Sequence, residues 1–424
     1  MRGLLPITLL GLLFGCQTAD PSIRTTGLAS GTWRMVLDLS GTTGGGRTTL
    51  PVLFDVSYDS LGTKLVIHNA EESITVRDID LKGDSIRIRM PLFDSEFVGV
   101  LHGDSAFGGH WLNHLKGSGY SIPFIAHATN VERFQLRAGE SWDPSGEWET
   151  WFSPGSSDAY PALGLFHSLP KGISATFCTE TGDYRYLEGV ATGDSLFLSS
   201  FDGSHAFLFS AQLDGDTLRG RYWSGNHWQE PFVAWRNPDF ELRDPDSLTT
   251  LKEGYEMVDF RFPDLDGNQV SPKDGRFKDK VLMVQVMGSW CPNCVDETVL
   301  LNEMFQEYHD QGLDVLALAF ERYEKPERAV EALKAFKKNL GVRYEILYAG
   351  ESKKELAAEK LPFLSRIMSY PTCIFIDRSG KVRRIRTGFY GPSTGAHYEN
   401  YVRNLRSFLE TLLAEENGGV ALKR

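Results

Sequence analysis

The chain has 424 residues, 41% hydrophobic and 24% charged, a soluble globular balance with more material than one ordinary domain needs. Its formal net charge of −12 argues against nucleic acid as a partner, because binding phosphate needs a basic surface. After the N-terminal leader no run reaches the roughly 18 apolar residues of a membrane-spanning helix.

Met1-Arg2 gives a short positive end, and Leu4 to Phe14 is an apolar run of signal-peptide length. The run closes on Leu13-Phe14-Gly15-Cys16, which resembles the lipobox of bacterial lipoproteins, although Phe14 is bulkier than the usual residue there. That resemblance implies a signal peptide over residues 1–15, lipid on Cys16, and a tether over 16–30. The alternative is an ordinary secretory signal with an incidental cysteine. Of the five cysteines, Cys16, Cys178, Cys291, Cys294 and Cys373, one close pair stands at a diagnostic spacing. An exported chain with one such pair reads as redox chemistry rather than as a disulfide framework.

Residues 31–237 are short alternating runs broken by Gly-Asp, Asp-Gly and Ser-Gly turns. Ser85-Ile86-Arg87-Ile88-Arg89-Met90 and Ser195-Leu196-Phe197-Leu198 alternate as half-buried strands do. The region also repeats. Gly31-Thr32-Trp33 returns as Gly146-Glu147-Trp148, Gly83-Asp84-Ser85 as Gly193-Asp194-Ser195, and Phe93-Asp94 as Phe201-Asp202. His110-Trp111 returns as Tyr222-Trp223, and Pro123-Phe124-Ile125-Ala126 as Pro231-Phe232-Val233-Ala234. The offset is nearly constant and the order is kept. This predicts two tandem β-meander units, over 31–128 and 146–237, with a connector over 129–145. Each would be a barrel or sandwich burying its own core. A polar, Pro-punctuated linker follows over 238–253.

From residue 254 to 416, ahead of a tail over 417–424, strands alternate with helices. Val281 to Met287 and Leu313 to Phe320 are continuous apolar runs, as strands covered on both faces should be. Val299, Leu300, Met304, Phe305 and Tyr308 fall at helical spacing between them. Ala329, Leu333, Phe336 and Leu340 mark a second helix, and Tyr401, Leu405, Phe408 and Leu412 a closing one. Cys373 to Asp377 reads as a strand that Arg378-Ser379-Gly380 turns into Lys381 to Thr387. The fold class is therefore multidomain, all-β tandem units followed by a single α/β domain.

Cys291 follows a predicted buried strand and opens a helix, with Pro292 at the first helical position, where its missing N–H costs nothing. Cys294 lies one turn on, so both sulfurs share a face at disulfide range. The unpaired N–H groups of the helix start favour a thiolate on Cys291, which attacks a substrate disulfide while the neighbouring thiol resolves the mixed disulfide. Half a zinc site is the competing reading, but no second Cys or Cys-His pair stands at ligand spacing, and no metal is expected.

Ser289-Trp290-Cys291-Pro292-Asn293-Cys294, Met257-Val258-Asp259-Phe260 and Tyr370-Pro371-Thr372-Cys373-Ile374-Phe375-Ile376-Asp377 resemble the TlpA/ResA-like envelope thiol–disulfide oxidoreductases. The likeness runs from about Gly254 to Leu413 and implies a thioredoxin fold there. It implies Cys291 as attacking and Cys294 as resolving cysteine, with no cofactor beyond their redox-active disulfide. Trp290 would shield the pair, and Pro371 would be a cis-proline lining a substrate groove with Pro292, Tyr370 and Thr372. Glu297 would adjust thiol acidity, unless it is simply an acid favoured at a helix start. Gln285, six residues before Cys291, stands where thioredoxins carry a buried acid; it can relay hydrogen bonds but cannot act as a base. Cys373 is expected in the core. The implied partners are protein thiols and disulfides, an upstream redox protein, and the membrane through lipid, on the periplasmic side or outer surface.

Two rivals are weighed. A peroxidase of the same fold would place Pro and Ser or Thr where Val284 and Gly288 stand, so peroxide would lack its hydroxyl partner. A surface binding protein would use the β units, since all the tryptophans except Trp290 precede the linker; core packing is the simpler role for them. Asp264-Leu265-Asp266-Gly267 is read as a hairpin turn rather than a calcium loop, and the histidines show no ligand spacing.

Overall fold

The computed structural model describes residues 27–41, 48–117, 119–134 and 142–415; Cys16 and the leader lie outside these. Two nine-stranded antiparallel sheets come first, then a mixed five-stranded sheet flanked by helices.

In the first unit each strand pairs with its chain neighbours except at one break. The first strand, Gly31–Asp38, also pairs with the ninth, Ser121–Ala128, while the fourth, Glu72–Val76, and fifth, Asp78–Lys82, are the two sheet edges. The sheet therefore curls around a core without closing. The second unit does close: Tyr160–Ser168 pairs with both Gly146–Phe152 and Ile173–Thr179, which removes the free edges a curled sheet otherwise exposes. Trp33, Trp111 and Trp148 are fully buried, so these tryptophans are core.

The expectation that each unit buries its own core needs correction. The first core takes in Phe201, Ala206 and Leu208 of the second unit. Two polar side chains fasten the contact. Asn69 donates to Phe201 O at 3.0 Å and accepts its N–H at 3.1 Å. Buried Arg133 donates to Pro51 O at 3.3 Å, Ser199 Oγ at 3.1 Å and Glu188 Oε2 at 3.0 Å. Removing one member of such a buried network costs about 3–5 kcal/mol, so the connector is structural. The stretch expected as a linker is likewise packed. Leu248 and Thr249 are buried, and Asp246 pairs with Arg384 at 3.2 Å and Arg386 at 3.0 Å.

In the α/β domain the strand order is Glu345–Glu351, Leu313–Glu321, Val281–Met287, Thr372–Ile376, Val382–Thr387, the first three parallel and the last two antiparallel. Four helices accompany it: α1 (Pro292–Tyr308), α2 (Pro326–Leu340), α3 (Lys354–Lys360) and α4 (Ala396–Ala414). Val281–Met287 is buried at every position. Two apolar readings shift. Val299 is 44% exposed, because it sits about 200° round the helix from Leu301, on the side away from the buried face. Leu301 takes its place. Leu409 lines α4 alongside Leu405 and Leu412. Asp264 Oδ1 accepts the N–H groups of Asp266 and Asn268, each at 2.9 Å, in the short hairpin Phe262–Pro263 with Gln269–Val270.

Candidate active site

Val281–Met287 delivers the chain through Gly288-Ser289-Trp290 onto the start of α1. Cys291 is the N-cap in extended conformation, and its Sγ accepts the Cys294 N–H at 3.3 Å. A sulfur thus does what a serine or aspartate oxygen usually does at a helix start, and it stands where negative charge is favoured. Sγ of Cys291 also lies 3.4 Å from Tyr370 O, across the groove. Cys291 is 6% exposed and Cys294 is 0% exposed; both are free thiols. Burial first, then the hydrogen bond and charge of Cys291, push the Cys294 thiol well above its ordinary range.

Behind the pair, Gln285 Nε2 donates to Glu297 Oε2 at 2.9 Å and approaches Cys294 O at 3.4 Å, while its Oε1 accepts from Thr298 Oγ1 at 3.1 Å. The amide therefore ties the carboxyl to the backbone of the helix turn that carries the resolving cysteine. Burial pushes Glu297 up to about 7, against the hydrogen bond from Gln285 and the charge of Arg386. A merely solvated helix-start acid has no such burial.

The Tyr370–Pro371 bond is cis. Trp290 packs edge-on to Tyr370 with centroids 5.5 Å apart, and its Nε1 donates to Phe320 O at 2.9 Å. Of the five residues expected to form a groove, Trp290 is half-buried, and Pro292, Tyr370, Pro371 and Thr372 are buried. Thr372 needs correction. It is a strand residue whose hydroxyl donates to Ser369 O at 2.9 Å, so it supports the cis-proline loop from inside. Cys373 is fully buried opposite Gln285 in the sheet, and burial raises its thiol well above the ordinary range. Where a peroxidase would hold its hydroxyl, Gly288 has room for no side chain: a Cβ there would meet Trp290 Nε1 at 2.2 Å.

Two groups escaped the sequence reading. Glu321 accepts the Ser289 N–H and hydroxyl, each at 2.8 Å; burial pushes it up to about 7, and those bonds draw it back. The Arg322 guanidinium lies 3.6 Å from the Trp290 ring centroid, and charge on Cys291 and Glu321 opposes the lowering that burial imposes on it. The available signal was register: Met287 lies beside Ala319 in parallel strands, so the charged pair ending one strand must sit beside the loop that leaves the other.

The second group comes from the second β unit, whose short strand Gly182–Asp183 lies against the dithiol dipeptide. Asn293 Nδ2 donates to Asp183 O at 3.3 Å and to Phe389 O at 3.2 Å. Arg185 Nη1 donates to Pro292 O at 3.0 Å and to Asp296 Oδ2 at 2.6 Å, and Nη2 pairs with Glu72. Ser369 Oγ donates to Thr181 O at 2.7 Å, and Ser204 Oγ to Trp290 O at 3.2 Å. Gly182 permits the approach: with φ of +143° it takes a conformation other residues avoid, and a Cβ there would lie 3.0 Å from Asn293 Nδ2.

The family description Redoxin matches residues 252–401. The thioredoxin-like protein YneN of Bacillus subtilis (strain 168) is 30% identical over 138 residues, which are 32% of this chain and 73% of that protein. The chain belongs to the thioredoxin-like thiol–disulfide oxidoreductase family. Another relative, the thiol-disulfide oxidoreductase ResA of Bacillus thuringiensis subsp. konkukian (strain 97-27), is 27% identical over 158 residues, 37% of this chain and 79% of its own. A solved thiol:disulfide interchange protein of the thioredoxin family, from Chlorobium tepidum TLS, superposes with a TM-score of 0.29 at 19% identity, covering 38% of this chain and 96% of that one. The Redoxin match begins after the second β unit. Membership thus describes the α/β domain of this oxidoreductase, and the parts of its site that the β unit supplies stand outside it.

Proposed function

We propose that this chain is a lipid-anchored thiol–disulfide oxidoreductase that exchanges disulfides with protein substrates in the bacterial envelope through Cys291-Pro292-Asn293-Cys294. The observation that carries the reading is the Cys291 sulfur capping α1, with 6% of Cys291 still exposed, 3.3 Å from the N–H of a fully buried Cys294.

The Cys291 thiolate attacks one sulfur of a substrate disulfide. A mixed disulfide forms and one substrate thiolate leaves. Cys294 then loses its proton and attacks Cys291 Sγ, which releases the second substrate sulfur and closes the Cys291–Cys294 disulfide. The substrate gains two electrons and the dithiol loses two; run backwards, the same steps oxidise a substrate dithiol. Glu297, whose charge acts on Cys294, is the proton acceptor for Cys294, and Gln285 holds its carboxyl in place. Trp290 and the cis-proline loop of Tyr370 and Pro371 flank the reacting sulfur. The dithiol is the whole redox centre, without a bound cofactor, and an upstream redox protein resets it.

Residues Leu13 to Cys16 carry the location, and no helix among the described residues is long and apolar enough to cross a membrane. With dithiothreitol as reductant the full chain should reduce insulin disulfides, with negligible turnover of hydrogen peroxide; peroxide turnover without insulin reduction would reverse the assignment. Wild type should fractionate with membranes, whereas Cys16→Ala should be released or left unprocessed. If Cys16→Ala stays membrane-bound and processed, the lipid anchor is lost from the account.

A further inference from the structure

A cavity of about 480 Å³ opens on the second β unit where it meets Asn293 of the dithiol loop, inside the range of about 300–1,000 Å³ typical of ligand sites. Its rings are Tyr160, Tyr184, Phe207 and Tyr222 of the closed barrel, and from the α/β domain it is lined by Asn293 and Met368. Asn293 stands between the two cysteines, and Met368 stands two residues before Tyr370 in the loop that faces Cys291. A substrate joined to Cys291 Sγ has its flanking residues, rather than its cysteine, within reach of this cavity.

The walls select among occupants. Tyr160 OH donates to Glu230 Oε1 at 2.8 Å and lies 3.2 Å from Tyr184 OH, so these hydroxyls are already engaged and offer a sugar little. Glu180, Asp183, Arg185 and His205 also line the space, which makes it a poor channel for a bare alkyl chain. The rings themselves meet edge-to-face, as Tyr184 does with Tyr222 at 5.2 Å between centroids, and a further ring would extend that packing. Arg185 Nε is buried and has no hydrogen-bond partner among the described residues; a peptide carbonyl would supply one.

The geometry points to a specificity pocket, built by the second β unit, that takes an aromatic side chain flanking the cysteine of a disulfide-bearing peptide substrate. This rests on the thiol–disulfide reading of Cys291 and Cys294 and adds the substrate class to it. The β barrel thereby becomes the substrate-reading half of the site, and the clasp of Asp183 and Arg185 on α1 keeps pocket and sulfur in register.

Two synthetic peptide disulfides test this, identical except for tryptophan or alanine beside the cystine, each reduced by the full chain with dithiothreitol alongside an insulin control. In wild type kcat/KM should favour the tryptophan peptide by about tenfold or more, the gain that burying an aromatic ring gives. Thr181→Trp, at an exposed position lining the cavity, should bring the ratio of the two peptides close to one. Equal kcat/KM values in wild type, with insulin still reduced, would overturn the pocket and leave the oxidoreductase reading intact. A preference that survives Thr181→Trp would also overturn it. Failure to reduce insulin and both peptides would remove the oxidoreductase reading and the pocket together.

Discussion

Cys294→Ser should accumulate covalent mixed disulfides with partner proteins, and Cys291→Ser should accumulate none. The asymmetry follows from exposure and acidity together. Cys291 keeps 6% exposure, while Cys294 is 0% exposed. With Cys291 replaced, the remaining thiol cannot reach a substrate disulfide. Burial also holds it well above its ordinary range, so at neutral pH it stays protonated and unreactive. With Cys294 replaced, attack still proceeds but resolution cannot, because a serine hydroxyl does not displace a thiolate. Both variants should lose insulin reduction to background. Non-reducing gels of envelope fractions, with and without dithiothreitol, read the result; equal trapping by the two variants would remove the assignment of roles.

Replacing Glu297 by glutamine should slow the reaction and strengthen the fold at once. Glu297 is buried, and its carboxyl is pushed from 4.5 to about 7. Near neutrality it can take the proton that Cys294 must lose. Resolution in wild type should therefore rise with pH through an inflection near 7. Glu297→Gln should lose that inflection and run about 10²-fold slower at pH 7.5, the usual contribution of a positioned base. Stability moves the other way. A carboxyl whose folded value is raised contributes stability fully present below about 4.5 and lost as pH rises through about 7. Above pH 8 the wild type carries a penalty of about 3 kcal/mol from this one group, and glutamine does not ionise. Urea unfolding at pH 5 and pH 8 should show wild type losing stability across the interval and Glu297→Gln losing less. If Glu297 is a bland helix-start acid, neither the rate inflection nor the stability difference will appear. The slower, sturdier variant is the signature of a group held in an unfavourable setting because its chemistry is needed there.

The parts of this site that are local in sequence were the legible ones. Pro292 after Cys291, the turn spacing of Cys294 and the apolar run before them specify a strand, a capped helix and two sulfurs on one face, and no distant residue is needed to read that. The alternation in residues 31–237 likewise gave strands, and the repeated Gly-Asp turns gave two units. What failed to show was long-range. The second barrel closes through the pairing of Tyr160–Ser168 with Ile173–Thr179, while the first stays open between Glu72–Val76 and Asp78–Lys82. Alternation is the same in both, because period-two patterning reports a face and not a partner. Glu321 and Arg322 carry no local signal, and only the parallel register sets them beside Ser289 and Trp290. Asp183 and Arg185 stand in a domain without a motif, more than a hundred residues from the helix they clasp. Thr372 went the other way: its neighbour Pro371 suggested a groove, but strand alternation turned its side chain inward onto Ser369.

The central claim is that Cys291 and Cys294 interconvert as one two-electron couple, and equilibrium redox titration of the full chain measures it directly. The protein is equilibrated in buffers of graded dithiothreitol ratio, alkylated, and its free thiols are counted by mass. Wild type should show a single transition in which two thiols appear together, with a tenfold change in ratio for each ~30 mV. Cys291→Ser and Cys294→Ser should show no such transition. A wild type whose thiol count never changes, or a transition that persists in Cys291→Ser, would contradict the account.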